Sequence, residues 1–303
     1  MTTACLALDI GGTKLAAGIV SEKGELIVSE EVATPKTISG DPRDSDRLLA
    51  CLVDLAKSTL SNLSTRSEVI EVVGCGVGCG GPMSEHGYLV SPLNIPGWRK
   101  FPLLERLATS LSLEVWVDND AKALALGEWW VGSAQGLNNF IAIVVSTGVG
   151  GGVFSDGKIL DGDSGNAGHI GHMIVEPDGR ECECGARGCL EAEVSGTAIA
   201  KTTGAPASFA DLATKERAGK LVGRAVASIS NLLDLRTALV AGSVALGFGD
   251  AFFQAAQCEL DRCARLEFSR GAKILPCGLG STGPLIGAGA VGFRGLELFG
   301  KCL

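Results

Sequence analysis

The chain predicts an α/β protein of two similar domains, on three observations. Short apolar runs ending in glycine alternate with stretches of helical periodicity. The opening pattern of strand, glycine turn, strand and acidic-glycine hairpin returns at mid-chain, and such a repeat implies two related domains facing each other. The 303 residues also exceed the roughly 100–200 of an ordinary single domain. A chance likeness between two glycine hairpins would produce the same repeat, so the repeat is an expectation for the structure to meet.

The elements follow in order. Residues 4–10 (ACLALDI) read as a buried strand entering Gly11-Gly12, followed by strands at Leu15–Val20 and Glu25–Val32. Leu48, Leu49, Leu52, Leu55, Ala56 and Leu63 recur at helical spacing over Ser45–Leu63, with Asp44 or Ser45 as N-cap. A strand at Glu71–Gly78 ends in GCGGP (78–82), a helix covers Phe101–Leu111, and a strand at Leu113–Val117 runs into Asp118-Asn119-Asp120. A helix from Ala121 to Val131 follows. The repeat then begins with Phe140–Val145, the turn STGVGGG (146–152) and the hairpin at Asp156-Gly157. Helices at Val194–Lys201 and Ala218–Leu233, a strand at Ala238–Ala241 and a helix at Gly287–Phe299 complete the reading. It places one domain at residues 1–118, completed by the C-terminal helix 287–303, and a larger one at 119–286.

Composition excludes several classes. Hydrophobic residues make up 46% of the chain and charged residues 20%, which is globular rather than disordered. Acidic residues outnumber basic ones 34 to 26, for a net charge of −8, and no Lys/Arg-rich run occurs, so no nucleic-acid or membrane partner is expected. No window nears the ~18 apolar residues of a membrane span. MTTACLALD lacks the basic start of a signal peptide, so a cytoplasmic protein with reduced thiols is expected. Eight of the 11 cysteines (Cys5, Cys51, Cys75, Cys79, Cys258, Cys263, Cys277 and Cys302) are scattered among apolar neighbours and read as small buried hydrophobes. Glycine is the outlier, at 43 residues, about twice the usual share of roughly 7%.

Two glycine turns carry phosphate chemistry. Asp9-Ile10-Gly11-Gly12-Thr13-Lys14 places a carboxylate at a strand end, then backbone amides, a hydroxyl and an ammonium that can converge on an oxyanion. Asp9 is placed to hold Mg²⁺ through water. The spacing is not Walker A, and a plain hairpin would also use such a turn. STGVGGG, with Thr147 and Gly148, offers further amides from the second domain. Together the two loops describe a grip on a nucleotide polyphosphate.

Asp118-Asn119-Asp120 sits where a strand meets a helix. From spacing alone Asp120 serves equally well as helix N-cap or as general base. His172, Cys182, Cys184 and Cys189 give H-x9-C-x-C-x4-C, with Gly185 and Gly188 allowing tight turns. Four such ligands suit a closed, structural Zn²⁺ site, though free thiols in an irregular loop would share the pattern.

The ordered set DIGGTK, GCGGP, NIPGW (94–98), DND-AKALALGE (118–128), STGVGGG and the histidine–cysteine block resembles the ROK family (repressor, open reading frame, kinase), over residues from about 5 to 290. The resemblance implies two facing ribonuclease-H-like domains of the actin/hexokinase ATPase type with an interdomain cleft. It implies an ATP-dependent hexose 6-phosphotransferase, glucokinase-like first and an N-acetylmannosamine or N-acetylglucosamine kinase second, in a homodimer. Asp120 then accepts the proton of the sugar 6-hydroxyl. Asn119 bonds a neighbouring hydroxyl, and Gly81, Asn94, His169, His172 and Glu191 complete the sugar site. Asp9, Gly11, Gly12, Thr13, Lys14, Thr147, Gly148 and Gly242 take ATP and its Mg²⁺, with Gly242 at the adenosine. The zinc stiffens the loop presenting His172 and Glu191. Two departures stand out. His169-Ile170-Gly171-His172 replaces the usual E-x-G-H, trading an anionic acceptor for an imidazole that donates and accepts one bond each. The stretch 233–244 (LDLRTALVAGSV) lacks the proline the family often carries there. The repressor branch carries a helix-turn-helix domain ahead of the kinase-like region, and Asp9 leaves no room for one. A zinc-stapled sugar-binding protein without catalysis would require Asp120 to be idle.

Overall fold

A computed structural model describes residues 1–38, 41–63 and 69–298. Its strands and α-helices run β1 (Thr2–Ile10), β2 (Lys14–Ser21), β3 (Leu26–Ala33), α1 (Pro42–Leu63), β4 (Ile70–Cys79), β5 (Met83–Ser84), β6 (Leu89–Val90), α2 (Leu103–Leu111), β7 (Val115–Asn119), α3 (Asp120–Val131) and β8 (Phe140–Val145). They continue as β9 (Val149–Ser155), β10 (Lys158–Ile159), α4 (Leu190–Val194), α5 (Gly196–Thr203), α6 (Leu212–Leu233), β11 (Thr237–Ala241), α7 (Ser243–Phe248), α8 (Asp250–Cys263), β12 (Lys273–Pro276) and α9 (Gly283–Gly295). The chain divides into two compact units. Unit 1 holds residues 1–135, 161–167 and the stretch from Leu279; unit 2 holds 136–160 and 168–278.

Both sheets have the same connectivity. Unit 1 orders its strands β3-β2-β1-β4-β7, and unit 2 orders its strands β10-β9-β8-β11-β12. In each, a three-strand antiparallel meander is extended by two parallel strands. The half-chain repeat is therefore a repeat of topology, and each glycine turn is the first hairpin of its sheet. In unit 1 the apolar face of α1 packs with α2 over β1, β2 and β4, burying Leu6, Leu8, Leu48, Leu52, Val77 and Trp98. The other face of the sheet carries α9. Helix and strands lie close enough to need glycine on both: a β-carbon at Gly289 of α9 would stand 2.8 Å from Val20 Cβ, and one at Gly76 of β4 1.9 Å from the Ala288 carbonyl oxygen.

Several boundaries differ from the sequence reading. α1 starts at Pro42 rather than Ser45, because proline is pre-shaped for the first turn and the Asp41 Oδ1 accepts the Arg43 amide at 2.9 Å. The expected helix at 194–201 is two, α4 and α5, divided where Ser195 adopts extended backbone and its Oγ accepts the Ala198 amide. α6 starts six residues before Ala218, capped by Asp211; its first turns are polar and so lack the apolar period. α7, α8 and β12 carry no expectation from the sequence. The C-terminal helix covers 283–295 rather than 287–299, while Phe299 and Cys302 lie outside the described residues. Helix α3, assigned by sequence to the second domain, packs on α9 and belongs to unit 1. No helix among the described residues is long and apolar enough to cross a membrane.

In unit 2, α6 and α8 lie side by side, and Glu259 is buried between Arg224 and Arg262. The hydrogen bonds from Arg262, then from Arg224, outweigh burial and hold its carboxyl down at about 2. A depressed carboxylate contributes stability above its unfolded value near 4.3, and that contribution is lost as pH falls toward 2. Glu259→Gln should therefore cost about 2 kcal/mol at pH 7, discounted for the exposed Arg262, and roughly a quarter of that at pH 2.5. Urea midpoints at the two pH values check this; an equal loss at both would contradict it.

Candidate active site

The parallel register of unit 1 brings three strand ends level: Asp9 on β1 pairs with Gly78 on β4, which pairs with Asp118 on β7. Ligand sites of open α/β sheets form beyond such carboxyl ends. A β-carbon at Gly78 would stand 3.7 Å from Asp9 Oδ1 and 3.5 Å from the Asp120 Cα, so Asp9 and Asp120 border the same glycine. Burial, and then the Asp120 charge, push the Asp9 carboxyl up to about 7 against the lowering effect of Lys14. The same two aspartates, after burial, hold the Cys79 thiol well above its ordinary value. Burial and two neighbouring carboxylates thus concentrate negative potential at this strand end, an arrangement that favours a cation.

The helix that carries Asp120 is capped by Asn119, whose Oδ1 accepts the Ala121 amide at 3.0 Å. Asp120 is the first helical residue, and its Oδ1 also accepts from Ala121, at 2.9 Å. Capping is thus available from Asn119 alone, and Asp120 remains half-buried at the helix start. The Gly11 amide and Lys14 carbonyl close the glycine turn at 3.0 Å, and Thr34 Oγ1 donates to Gly11 O at 2.7 Å. Lys14 is paired with Glu31 at 2.8 Å, an exposed pair that costs little to exchange for a phosphate. Asn94 lies over the turn: a β-carbon on Gly12 would meet its side chain at 2.9 Å, and one on Gly80 would meet Asn94 Oδ1 at 3.4 Å. Gly81 O accepts from the Leu93 amide, beside Asn94. Asp9, the GGTK turn, Gly81, Asn94, Asn119 and Asp120 are therefore one cluster within unit 1.

In unit 2 the Ser146–Gly148 loop is tied down on two sides. The Gly196 amide donates to Ser146 O at 2.7 Å, and Thr197 donates to Thr147 O through amide and hydroxyl. Glu191, at the start of α4, accepts the Val149 amide on Oε2 at 2.8 Å. The carboxylate assigned to the sugar is thus partly spent on fixing the glycine loop. Gly242 (φ 100°) can only be glycine, because a β-carbon there would stand 2.2 Å from Val145 O; Ser243 Oγ meets Ser146 Oγ at 3.1 Å beside it.

His169 precedes a 3-10 turn at Ile170–His172, and its ring lies nearly parallel to that of His172, centroids 6.1 Å apart. His172 Nδ1 is 3.7 Å from Cys182 Sγ, and Cys184 Sγ is 3.7 Å from Cys189 Sγ. All four ligand atoms lie within 4.8 Å of one another. Ligands at ~2.3 Å from a tetrahedral ion are about 3.7 Å apart along each edge, so this donor set can hold such an ion.

Two arrangements were not foreseen. Glu193, buried behind the cysteine loop, accepts the Arg180 amide and ion-pairs with Arg180 and Arg217, which hold it below its ordinary value despite burial. In unit 1, Lys122 is buried among Asp118, Asp161 and Gly165 O, with Arg294 beyond. The signal for the second was present: one lysine in AKALALGE, four residues after an aspartate.

A profile of the ROK family matches residues 5–292. An N-acetylmannosamine kinase of Yersinia pseudotuberculosis is 36% identical over 259 residues, covering 80% of this chain and 84% of that protein. The structure is similar to a ROK family glucokinase from Streptomyces griseus, solved with glucose and AMPPNP (28% identity, TM-score 0.79, covering 96% of this chain and 99% of that one). It is likewise similar to a ROK hexokinase from Thermus thermophilus (28% identity, TM-score 0.80, covering 98% and 100%).

Proposed function

The chain belongs to the ROK family, with the two-domain actin/hexokinase-type ATPase fold, and on that premise we propose that it is a sugar kinase transferring the γ-phosphoryl group of ATP to the 6-hydroxyl of a hexose. The observation that carries this reading is the pair of carboxylates, Asp9 and Asp120, bordering Gly78. Asp120 accepts the proton of the 6-hydroxyl as that oxygen bonds to the γ-phosphorus; the bond from phosphorus to the β,γ-bridging oxygen breaks, and ADP leaves with the electron pair. Asn94, Asn119, the Gly81 backbone, His169 and Glu191 orient the sugar. The GGTK turn, Thr147, Gly148 and Gly242 receive the nucleotide. Asp9 would hold Mg²⁺, which would neutralise phosphate charge during transfer. His172, Cys182, Cys184 and Cys189 would hold a structural Zn²⁺; ligation through His172 Nδ1 leaves the Nε2 proton for a sugar hydroxyl.

For the sugar, the 36% identity with the N-acetylmannosamine kinase over 80% of this chain supports N-acetylmannosamine ahead of glucose. ADP formation with glucose, mannose, N-acetylmannosamine and N-acetylglucosamine tests both levels. Turnover with none of them would remove the kinase reading; a preference for glucose would return the substrate to the other branch.

His169 tests the sugar contact itself. A carboxylate in its place restores an anionic acceptor worth roughly 1.5–3 kcal/mol per charge-assisted bond. His169→Glu should shift relative kcat/KM among the four sugars about tenfold or more, with KM for ATP nearly unchanged. An unchanged ranking in folded, zinc-loaded protein would show that His169 only packs beside the loop.

A further inference from the structure

Glu193 stands behind the cysteine loop with its side chain 1% exposed and both carboxylate oxygens engaged. Its Oε1 accepts the Arg180 amide at 2.6 Å, and its Oε2 meets Arg217 at 2.6 Å and Arg180 at 3.2 Å. The same two guanidinium groups donate to its carbonyl oxygen, at 2.9 Å from Arg180 and 3.3 Å from Arg217. Arg180 opens the hairpin that carries the ligands. Its carbonyl accepts the Gly188 amide at 2.8 Å, and the Cys182 amide donates to Ala186 O at 2.8 Å. Gly179, just before it, has no room for a side chain, because a β-carbon there would overlap Glu193 Oε1. Glu193 lies on α4 and Arg217 on α6, so one carboxylate ties the base of the hairpin to two helices, all within unit 2.

Bringing three thiolates and an imidazole together costs charge repulsion, and ordering a flexible loop costs conformational entropy; both subtract from the affinity for the metal. Groups outside the ligand set that fix the backbone reduce that cost. Glu193 is such a group: it holds Arg180, two residues before Cys182, against the helix that leaves Cys189. We propose that Glu193 is a positioning residue for the metal site: it builds the base of the hairpin in the metal-free protein, so that the ion closes a loop already in place. This rests on the reading of His172, Cys182, Cys184 and Cys189 as a zinc site, and it is independent of the sugar.

Hydrogen exchange on the full chain stripped of metal, and zinc affinity by chelator competition, test this. In metal-free wild type the Arg180 and Gly188 amides should stay protected at least tenfold over an open chain. Glu193→Gln keeps the shape and removes the charge, and it leaves Arg180 and Arg217, 36% and 41% exposed, within reach of water. It should abolish that protection, leave the amides of β8 and β11 unchanged, and raise the zinc Kd about tenfold or more. Saturating zinc should restore the protection, because ligation then anchors the loop. Arg217→Met, at the accessible end, carries the same test if Glu193→Gln fails to fold, with a zinc Kd raised several-fold. A merely structural role would lower the melting temperature and leave the zinc Kd within twofold. Unprotected Arg180 and Gly188 amides in metal-free wild type, or a zinc Kd within twofold of wild type in the folded variant, overturns the proposal. Wild type that takes up no zinc would sink the metal reading itself, whereas zinc uptake with an unmoved Kd in the variant sinks only the role of Glu193.

Discussion

Asp120→Asn is expected to lower kcat by at least ~10² while KM for the sugar changes only a few-fold. Asparagine preserves size and still offers an oxygen to the Ala121 amide, so the start of α3 should survive. What it lacks is a lone pair basic enough to take the 6-hydroxyl proton. A second readout is independent of turnover. Burial is the larger cause of the raised Asp9 carboxyl and the Asp120 charge the second, so neutralising Asp120 should lower Asp9 part of the way from about 7, observable by carboxyl-carbon NMR titration. The sign for stability follows: an aspartate raised on folding costs stability as pH climbs from about 4 to 7, and Asp120→Asn should relieve part of that cost at neutral pH. Near-normal kcat in the variant would falsify the role of Asp120 as base and favour a sugar-binding protein without this chemistry.

Loss of the cysteine-loop metal is expected to be comparably severe. Purified protein should carry about one zinc per chain, and Cys184→Ala should lose the metal, more than nine-tenths of the activity and several degrees of melting temperature. Cys184 is the exposed member of the four, so its replacement leaves no cavity in the core and reports on ligation. The loss should reach the active site along the chain, because Cys189 is followed at once by Leu190 and Glu191, and Glu191 holds the Val149 amide of the glycine loop. Glu193 then limits the damage, anchoring the loop from behind through Arg180 and Arg217. Metal-free protein with full activity and an unchanged melting temperature would show the site to be incidental.

The sequence by itself determined the features that depend on neighbours along the chain. Short apolar runs located β1, β2 and β8, period-3.6 spacing located the apolar face of α1, and glycine clusters located the turns. Close spacing made the His172–Cys189 ligand set legible, since four donors within eighteen residues have few ways to be arranged. Tertiary structure decided the rest. That Asn119 is the cap of α3 and Asp120 its first helical residue is decided by where the backbone turns from extended to helical. That α3 belongs with unit 1 depends on its packing against α9, more than 150 residues later, where small residues let the helices approach. The start of α6 was hidden because its first turns are polar, and polar turns carry no apolar period. The division of labour at Glu191, and the pairs of Asp161 with Lys122 and of Arg294 with Asp118 and Asp161, join groups that are distant in sequence. No local pattern encodes such pairings, because Coulomb attraction and hydrogen bonds act through space that only the folded chain defines.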